Sequence, residues 1–280
     1  MFSRQALVVG FSIGVAACGS DGPPADQVDA AVASDWQPLV TKNWTLAAGE
    51  ERTSDLEVAN LDEDVFVGAI RPISPPGTHH TLLARGLSNT NIIYASGVGT
   101  NELTFPAGTG LRLPAGTLLG LQLHIFNNAE TELSGMSGIE VKVIDPKTVT
   151  QEVDLFLPGP RDLALPPNQI STASGTCTVR APQTIFAIFP HMHQLGMHLK
   201  TTLMVGGVPR VLHDAPYSFE HQSFDAFEPI LLAVGDTITT ECTWNNTTSQ
   251  TVTYGESSTT EMCYSILYRY PGDGGEFCTQ

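Results

Sequence analysis

The sequence has few basic residues and few charged residues of any kind. Thirteen Lys and Arg stand against 29 Asp and Glu, so the formal net charge is −16, and only 15% of the 280 residues are charged. Nucleic-acid affinity depends largely on basic side chains that neutralise phosphates, so this composition excludes a nucleic-acid-binding protein. The same shortage excludes attachment to a membrane surface through a basic patch.

Amphipathic helices are also lacking, because apolar residues rarely keep a helical spacing over three turns. The chain instead has short apolar or alternating segments separated by turns rich in Pro and Gly, a pattern typical of β-strands. These segments are residues 65–70, 118–125, 139–144, 184–189, 199–205, 237–244 and 262–270. We therefore predict an all-β protein of antiparallel β-sandwiches, jelly-roll-like in architecture.

The N-terminus predicts export. A single basic residue, Arg4, precedes an uncharged apolar segment of about 12 residues, which is shorter than the ~20 that cross a bilayer. We therefore predict a signal peptide over residues 1–17. The segment ends in Val-Ala-Ala followed by Cys18, which resembles the lipobox of bacterial lipoproteins and makes Cys18 the predicted lipidation site; a signal peptide cut without lipidation is the alternative. Residues 18–35 are rich in Gly, Pro, Ala and Asp and form a predicted flexible tether in a bacterial cell envelope, periplasmic or surface-exposed.

The other four cysteines favour the same kind of compartment. They are Cys177, Cys242, Cys263 and Cys278. Exported proteins occupy compartments where disulfides persist, and four cysteines allow three pairings that spacing alone does not decide between. A metal site built from four thiolates is the competing interpretation, but the sequence has no C-x-x-C pair.

A Pro-rich stretch over residues 146–167 indicates a boundary between two tandem domains, residues 36–150 and 151–280. A weak internal similarity agrees with this division. Gly116 and Gly235 each lead into a strand that ends near two asparagines, with an offset of 119 residues at the glycines and 118 at Asn127 and Asn245. Turns and strands of unrelated sheets would produce the same pattern.

Five of the eight histidines lie in three settings that suit metal binding. These are the adjacent pair His79 and His80, the single His124, and the His191-Met192-His193 triplet. Residues i and i+2 of a strand share a face, so the triplet presents two imidazoles together, whereas an adjacent pair converges only at a strand end or bulge. Imidazole suits copper, zinc, iron and nickel alike. His198, His213 and His221 are scattered and are interpreted as ordinary surface or core histidines.

Together these motifs resemble the copper type II, ascorbate-dependent monooxygenases, the family of peptidylglycine α-hydroxylating monooxygenase and dopamine β-monooxygenase. The resemblance spans most of the chain after the signal peptide, in the family's order. Its motifs are Thr-His-His-Thr-Leu-Leu at residues 78–83, Gln122-Leu123-His124, His191-Met192-His193-Gln194-Leu195-Gly196 and Thr260-Glu261-Met262-Cys263.

The resemblance implies two copper ions, one in each domain, that face each other across a solvent-filled cleft. The first would be held by His79, His80 and His124, and the second by the catalytic set His191, His193 and Met262. O2 would bind at the second site, while the first would relay an electron from ascorbate or a similar reductant, with Gln122 beside the electron path. A thioether favours Cu(I), which agrees with O2 binding at the second site.

The cysteine pairing is also implied only by the resemblance. It pairs Cys177 with Cys278 and Cys242 with Cys263, so that the second bond would orient Met262.

The sequence departs from the peptide-amidating members where they bind a substrate carboxylate. Those positions hold Phe189, Tyr264 and Ile266, so we expect hydroxylation of an aliphatic C–H bond in a small, fairly apolar organic substrate rather than a peptidylglycine. Membrane association is expected only through a lipid anchor on Cys18. The alternative function is an exported lipoprotein that binds, stores or handles copper without turnover.

Overall fold

The computed structural model describes residues 35–87, 91–255, 257, 259–272 and 276–278. Asp35–Gln280 form one compact unit by internal contacts. The predicted signal peptide, the predicted lipidation site Cys18 and the predicted tether up to residue 34 lie outside the described residues, so all three stay predictions. Within the described part of the chain, no helix is both long and apolar enough to cross a bilayer.

The described residues before 153 form eleven strands in two sheets. They are β1 (Gln37–Leu46), β2 (Glu51–Thr53), β3 (Glu57–Asn60), β4 (Val65–Ile73), β5 (Thr78–Arg85), β6 (Ile92–Ser96), β7 (Leu103–Thr104), β8 (Thr109–Leu113), β9 (Leu118–Phe126), β10 (Leu133–Val143) and β11 (Gln151–Glu152). One sheet has the order β1-β10-β4-β8-β11, with β7 beside β4. The other has the order β2-β9-β5-β6, with β3 beside β9, and it carries the first three candidate histidines.

Eleven further strands follow in the described residues from 154 onward. They are β12 (Asp154–Pro158), β13 (Ala164–Leu165), β14 (Gln169–Thr178), β15 (Gln183–Met192), β16 (Gly196–Val205), β17 (Val208–Pro216), β18 (Asp225–Leu232), β19 (Thr237–Asn246), β20 (Val252–Thr253), β21 (Cys263–Tyr270) and β22 (Glu276–Cys278). The two larger sheets have the orders β18-β15-β21-β12-β22 and β14-β19-β16-β17, and β13 pairs with β20.

The prediction of an all-β fold is confirmed. Each of the seven segments predicted from the sequence overlaps a strand, and the one helix among the described residues is a single 3₁₀ turn, Pro146–Thr148, capped by Asp145. Strand pairings are antiparallel except for β8 with β11 and β12 with β22. Described strands up to β11 pair only with one another, and so do those from β12 onward. We call these sets the N-terminal and C-terminal halves; their status as separate domains divided at residue 150 stays a prediction.

An aromatic cluster joins the two halves. Tyr94 and Phe105 of the N-terminal half lie 5.6 and 5.7 Å, by ring centroids, from Phe224 and Phe186 of the C-terminal half. The Tyr268 ring packs against this group, and its hydroxyl donates to the Ile93 carbonyl over 3.3 Å. Large buried aromatic rings contribute strongly to packing, so the two halves are held in contact by apolar burial.

The internal similarity seen in the sequence has a structural counterpart in two buried asparagines. The side-chain amide of Asn127 donates to three backbone carbonyls, and its Oδ1 accepts from an N–H two residues later; Asn246 makes the same set of bonds. The carbonyls are those of Leu46, Ala47 and Thr131 for the first, and Leu165, Pro166 and Gln250 for the second.

The structural equivalence is therefore Asn127 with Asn246, not with Asn245 as the sequence suggests. Asn127 and Asn246 are 119 residues apart, which is also the separation of Gly116 and Gly235. Both glycines have a positive φ, 77° and 93°, a conformation that residues with a Cβ rarely adopt. The two halves thus use the same turn and the same asparagine to begin and end one strand.

We predict that Asn127→Ala and Asn246→Ala each lower the free energy of unfolding by about 2 kcal/mol, because each leaves buried carbonyls without donors. Urea denaturation of the purified protein measures this change. The neighbours Asn128→Ala and Asn245→Ala are the matched controls and should change it by less than about 0.5 kcal/mol. Equal effects for neighbours and buried asparagines would contradict the assigned role.

Candidate metal centres

The first candidate site forms where strand β5 is bulged. His80 lies opposite His124 of the adjacent strand β9, but the pairing shifts between Thr78 and His80, so His79 is the extra residue of a bulge. A bulge redirects the side chain that it carries. It therefore brings two consecutive histidines to the same place, as the sequence requires of an adjacent pair.

The three rings of this site converge through the same nitrogen. His80 Nδ1 lies 3.0 Å from His79 Nδ1 and 3.4 Å from His124 Nδ1, and one ligand atom from each ring lies within 4.8 Å of the others. Imidazole nitrogens that bind one metal at about 2 Å are separated by about 3 to 3.5 Å. The spacing thus fits one metal ion held by three Nδ1 atoms, and the all-imidazole donor set suits copper.

The outer nitrogens of these rings have protein partners. His79 Nε2 lies 2.5 Å from a Glu220 carboxylate oxygen, and His124 Nε2 lies 2.6 Å from a Glu51 carboxylate oxygen. His80 Nε2 lies 3.4 Å from the Phe219 carbonyl. At His79 and His124 the carboxylate acceptor keeps the proton on Nε2 and leaves the Nδ1 lone pair for a metal. Glu220 and Phe219 belong to the C-terminal half, so both halves build this site.

The second candidate site lies at the end of β15. That strand ends at Met192, so His193 follows it directly, and the His191 and His193 rings are 5.2 Å apart by centroids and nearly perpendicular. The Met192 side chain is fully buried in the core of the C-terminal half, as expected for the middle residue of the triplet.

Acceptors on the Nδ1 side fix the two imidazoles of this site. His193 Nδ1 donates to the Thr260 carbonyl over 2.9 Å, and His191 Nδ1 donates to Gln222 Oε1 over 3.2 Å. Both rings therefore keep Nε2 free for a metal. Met262, just before β21, lines the same cavity as both rings. Two imidazoles and a thioether fit copper, and the thioether favours Cu(I).

A buried carboxylate, Glu261, organises this second site. It is fully buried and accepts hydrogen bonds from the backbone N–H of His193 (2.9 Å) and Leu195 (2.7 Å) and from the Trp244 indole (2.9 Å). Glu261 immediately precedes Met262, so its side chain connects the histidine triplet to the segment that carries the methionine. The sequence contained the signal, a lone acid beside the candidate methionine, but its role requires the fold.

Close packing and disulfide bonds also stabilise the surroundings of the second site. Gly196, the glycine of the triplet motif, leaves no room for a side chain, because a Cβ would lie 2.8 Å from the Tyr217 ring and 2.9 Å from Met192. The structure contains the disulfides Cys177–Cys278 and Cys242–Cys263, with Cα separations of 5.7 and 6.0 Å, which are the pairs that the resemblance implies. Cys263 follows Met262 directly, so the second bond restrains the strand that carries this ligand.

Both sites open on one cavity of about 460 Å³. Its polar wall includes His80, His124, His191, His193, Met262 and Gln122. Its apolar wall includes Leu157, Phe189, Tyr264, Ile266 and Phe277. The resemblance implies a solvent-filled cleft between the sites, and residues of both halves line this common space.

A cation that no sequence motif indicates lies at this cavity. Arg161 lines it, with the guanidinium 4.9 Å from the ring centroids of Tyr254 and Phe277 and hydrogen-bonded to the Tyr254 hydroxyl at 3.0 Å. The acceptors Glu51, Glu220 and Gln222 could not be predicted either, because no sequence spacing connects them with the histidines. His198 Nε2 and His213 Nδ1 lie 3.1 and 3.0 Å from carboxylate oxygens of Asp214 and Asp225, and His221 lies on an exposed turn, so none of these three joins a site.

Burial keeps the key imidazoles neutral. It lowers the pKa of His80 to about 3, helped by the neighbouring His79 and His124. Burial likewise lowers the pKa of His191 to about 3, helped by the neighbouring His193. Burial also lowers the pKa of His193, although the hydrogen bond to the Thr260 carbonyl acts in the opposite direction. A metal binds only the neutral ring, so these three rings stay able to bind one below the ordinary pKa of histidine.

We predict that the metal-free protein loses stability as the pH falls below about 6.5. The folded-state pKa of His191 is lowered, so the unfolded chain takes up its proton first; the stabilisation is complete above 6.5 and is lost as the pH falls towards 3. Each such histidine contributes about 1.4 kcal/mol per pH unit in this range. Urea unfolding at pH 7, 6 and 5 with a chelator should show a shallower pH dependence for His191→Ala, whereas Gln169→Ala, an exposed residue of β14 that does not titrate, should match the parent protein.

We predict that Glu261→Ala lowers the free energy of unfolding by at least about 3 kcal/mol, because three N–H groups, two of them in buried bonds, lose their acceptor at once. Glu261→Gln, which keeps one acceptor oxygen, should lose less. Urea denaturation measures both, with Glu241→Ala, an exposed acid on β19, as the control. An effect of Glu261→Ala no larger than that of the control would show that this carboxylate does not organise the site.

Comparison with known proteins finds a family match and two curated relatives. Residues 154–280 match the family described as "Copper type II ascorbate-dependent monooxygenase, C-terminal domain". The chain is 28% identical over 216 residues to "Tyramine beta-hydroxylase" of Caenorhabditis briggsae, covering 68% of this chain and 36% of that protein. It is 27% identical over 215 residues to "DBH-like monooxygenase protein 1" of Mus musculus, covering 66% and 34%. The chain thus spans about a third of the length of these curated relatives.

Among solved structures, "Structure of infectious bursal disease virus Gx strain" aligns over 82% of this chain and 70% of that one, with 12% identity and a TM-score of 0.23. A likeness of this size supports no inference. The family match instead spans the part of the chain that contains His191, His193 and Met262. These comparisons support the copper type II ascorbate-dependent monooxygenase family for this chain, and the family match itself covers residues 154–280.

Proposed function

We propose that this protein is a copper-dependent monooxygenase that hydroxylates an aliphatic C–H bond of a small organic substrate, using O2 and an ascorbate-like reductant. The observation that carries the proposal is the shared cavity, which both donor sets line. A protein that only stores copper needs no common space between two chemically different sites. Two copper ions would supply electron transfer and O2 activation when bound.

The two donor sets divide the work by their chemistry. The three converging Nδ1 atoms of His79, His80 and His124 form a closed imidazole set that suits electron relay. His191, His193 and Met262 include a soft thioether and face the cavity, which suits the O2-binding position. Gln122 of β9 lines the cavity beside His124 and stays the candidate for the electron path.

The remaining cavity residues would hold the substrate. Phe189, Ile266 and Leu157 give an apolar wall, which favours a fairly apolar molecule and excludes water from the reacting carbon. Tyr254 and Tyr264 add a polar edge, where their hydroxyls lie 3.1 Å apart. Such an edge would orient a substrate that carries one polar group.

The two disulfides fit an oxidising compartment outside the cytosol. Following the N-terminal sequence, we propose that the protein is anchored to a bacterial membrane through a lipid on Cys18. Mass spectrometry of the mature N-terminus tests this: a diacylated Cys18 supports it, and an unmodified or absent Cys18 refutes it.

Copper content and oxygen uptake test the enzyme proposal together. We predict two coppers per purified mature chain, and ascorbate-dependent O2 consumption that rises when one of a panel of aliphatic and phenethyl compounds is added. Hydroxylated product should form with the same dependence. Two coppers without stimulated uptake over the panel would favour a copper-handling protein, and zinc or a single metal would contradict the two-copper assignment.

We predict that Met262→Ala abolishes hydroxylation and lowers copper binding at the second site, while the three-histidine site stays loaded. The reason is that only the second site would lose a ligand. Metal analysis and product formation measure the two effects separately. Met197→Ala, an exposed methionine of the same half, is the control and should keep both. Full activity in Met262→Ala would refute the role of this thioether.

A further inference from the structure

A segment of the C-terminal half, residues 217–222, reaches across to the first site. We call it the bridging segment. It begins at Tyr217, whose hydroxyl donates to the Met192 carbonyl beside the second site over 2.6 Å. Phe219 then lies against the rings of His79 and His80, with centroid distances of 5.4 and 4.5 Å. The bridging segment therefore touches both candidate sites.

Its last residue, Gln222, contacts one histidine from each site. Its Oε1 lies 3.2 Å from His191 Nδ1, and its Nε2 lies 3.0 Å from His80 Nε2. The residue is only 4% exposed, and its backbone carbonyl accepts a hydrogen bond from the Thr100 hydroxyl of the N-terminal half. A single buried amide thus lies between the two sites and is fixed from both halves.

The orientation of this amide follows from its surroundings. Gln222 Nε2 also lies 3.0 Å from the Phe219 carbonyl, which can only accept, so the amino group must face that side. Oε1 therefore faces His191 and accepts from its Nδ1–H. This bond stabilises the tautomer of His191 that leaves Nε2 for a metal.

At His80 the same amide has the opposite effect. Its N–H donates to His80 Nε2 only when that nitrogen carries no proton, and a neutral ring then carries its proton on Nδ1. Nδ1 is the nitrogen that converges with His79 and His124, so this tautomer cannot bind a metal there. When Nδ1 binds a metal, the proton moves to Nε2, which must turn to the Phe219 carbonyl instead.

We propose that Gln222 is a positioning residue that couples the two sites, favouring metal binding at the second and opposing it at the first. The coupling rests on the proposed two-copper function. Loading of the first site breaks the bond between Gln222 and His80, so the amide remains bonded to the second site and to Phe219 alone.

The test is a set of anaerobic Cu(I) titrations against a chromophoric chelator. His193→Ala isolates the first site and keeps His191; His124→Ala isolates the second and keeps His80. In these backgrounds Gln222→Met removes both bonds of the amide. We expect it to raise first-site affinity about 2- to 10-fold and to lower second-site affinity by a similar factor, the size of one hydrogen bond at each site.

Gln222→Glu separates the two effects, because its carboxylate can accept from both rings. It should raise first-site affinity and keep or raise second-site affinity. Gln169→Met, an exposed glutamine on β14, is the matched control and should change neither. Circular dichroism and urea unfolding check that each variant folds. If Gln222→Met does not fold, the Cu(I) affinities of Gln222→Glu test the proposal.

The outcomes separate this coupling from the enzyme proposal. The coupling is supported if Gln222→Met raises Cu(I) affinity at the first site and lowers it at the second, while Gln222→Glu loses no affinity at the second site. Shifts in the same direction, or none beyond 2-fold, overturn it even if the protein binds two coppers and hydroxylates substrate. A parent protein that binds no copper overturns the proposed function, and the coupling with it.

Discussion

At five of the six candidate ligands an imidazole or thioether faces its site without opposition, and for His79, His124, His191 and His193 a protein acceptor decides which ring nitrogen is left for a metal. In the first site carboxylates lie at Nε2 of His79 and His124, so their Nδ1 atoms are left; in the second site acceptors lie at Nδ1 of His191 and His193, so Nε2 stays free. The chain can therefore orient its rings before a metal arrives, because burial already keeps the key rings neutral. The outer partners thus determine each site as much as its ligands do.

Much of the fold and the ligand set follows from the sequence, because both depend on local pattern. Alternating segments predicted strands, and the His79-His80 pair required a bulge, which the structure has. The partners of the histidines could not be predicted, because Glu220 and Gln222 lie far along the chain and reach the first site only by the packing of the two halves. The place of Arg161 could not be predicted for the same reason, since it meets Tyr254 and Phe277 only in the folded chain.

Both halves use one structural plan but stabilise it differently. Asn127 and Asn246 close equivalent turns with the same hydrogen bonds. The two disulfides, however, lie in the C-terminal half, where Glu261 and the Cys242–Cys263 bond flank Met262. A thioether has only weak directional demands of its own, so its position has to come from such surroundings. Three imidazoles on paired strands β5 and β9 need less external support, because the sheet itself sets their spacing.

The aromatic cluster between the halves also restricts how a molecule can reach the cavity. Swinging the halves apart as on a hinge would expose Tyr94, Phe105, Phe186, Phe224 and Tyr268 to water together, at a cost of several kcal/mol. Motion of short surface pieces such as the bridging segment exposes far less apolar area. Exchange of substrate and product is therefore expected to depend on small local motions of the residues at the cavity rim. Its rate should fall as the molecule that passes becomes larger.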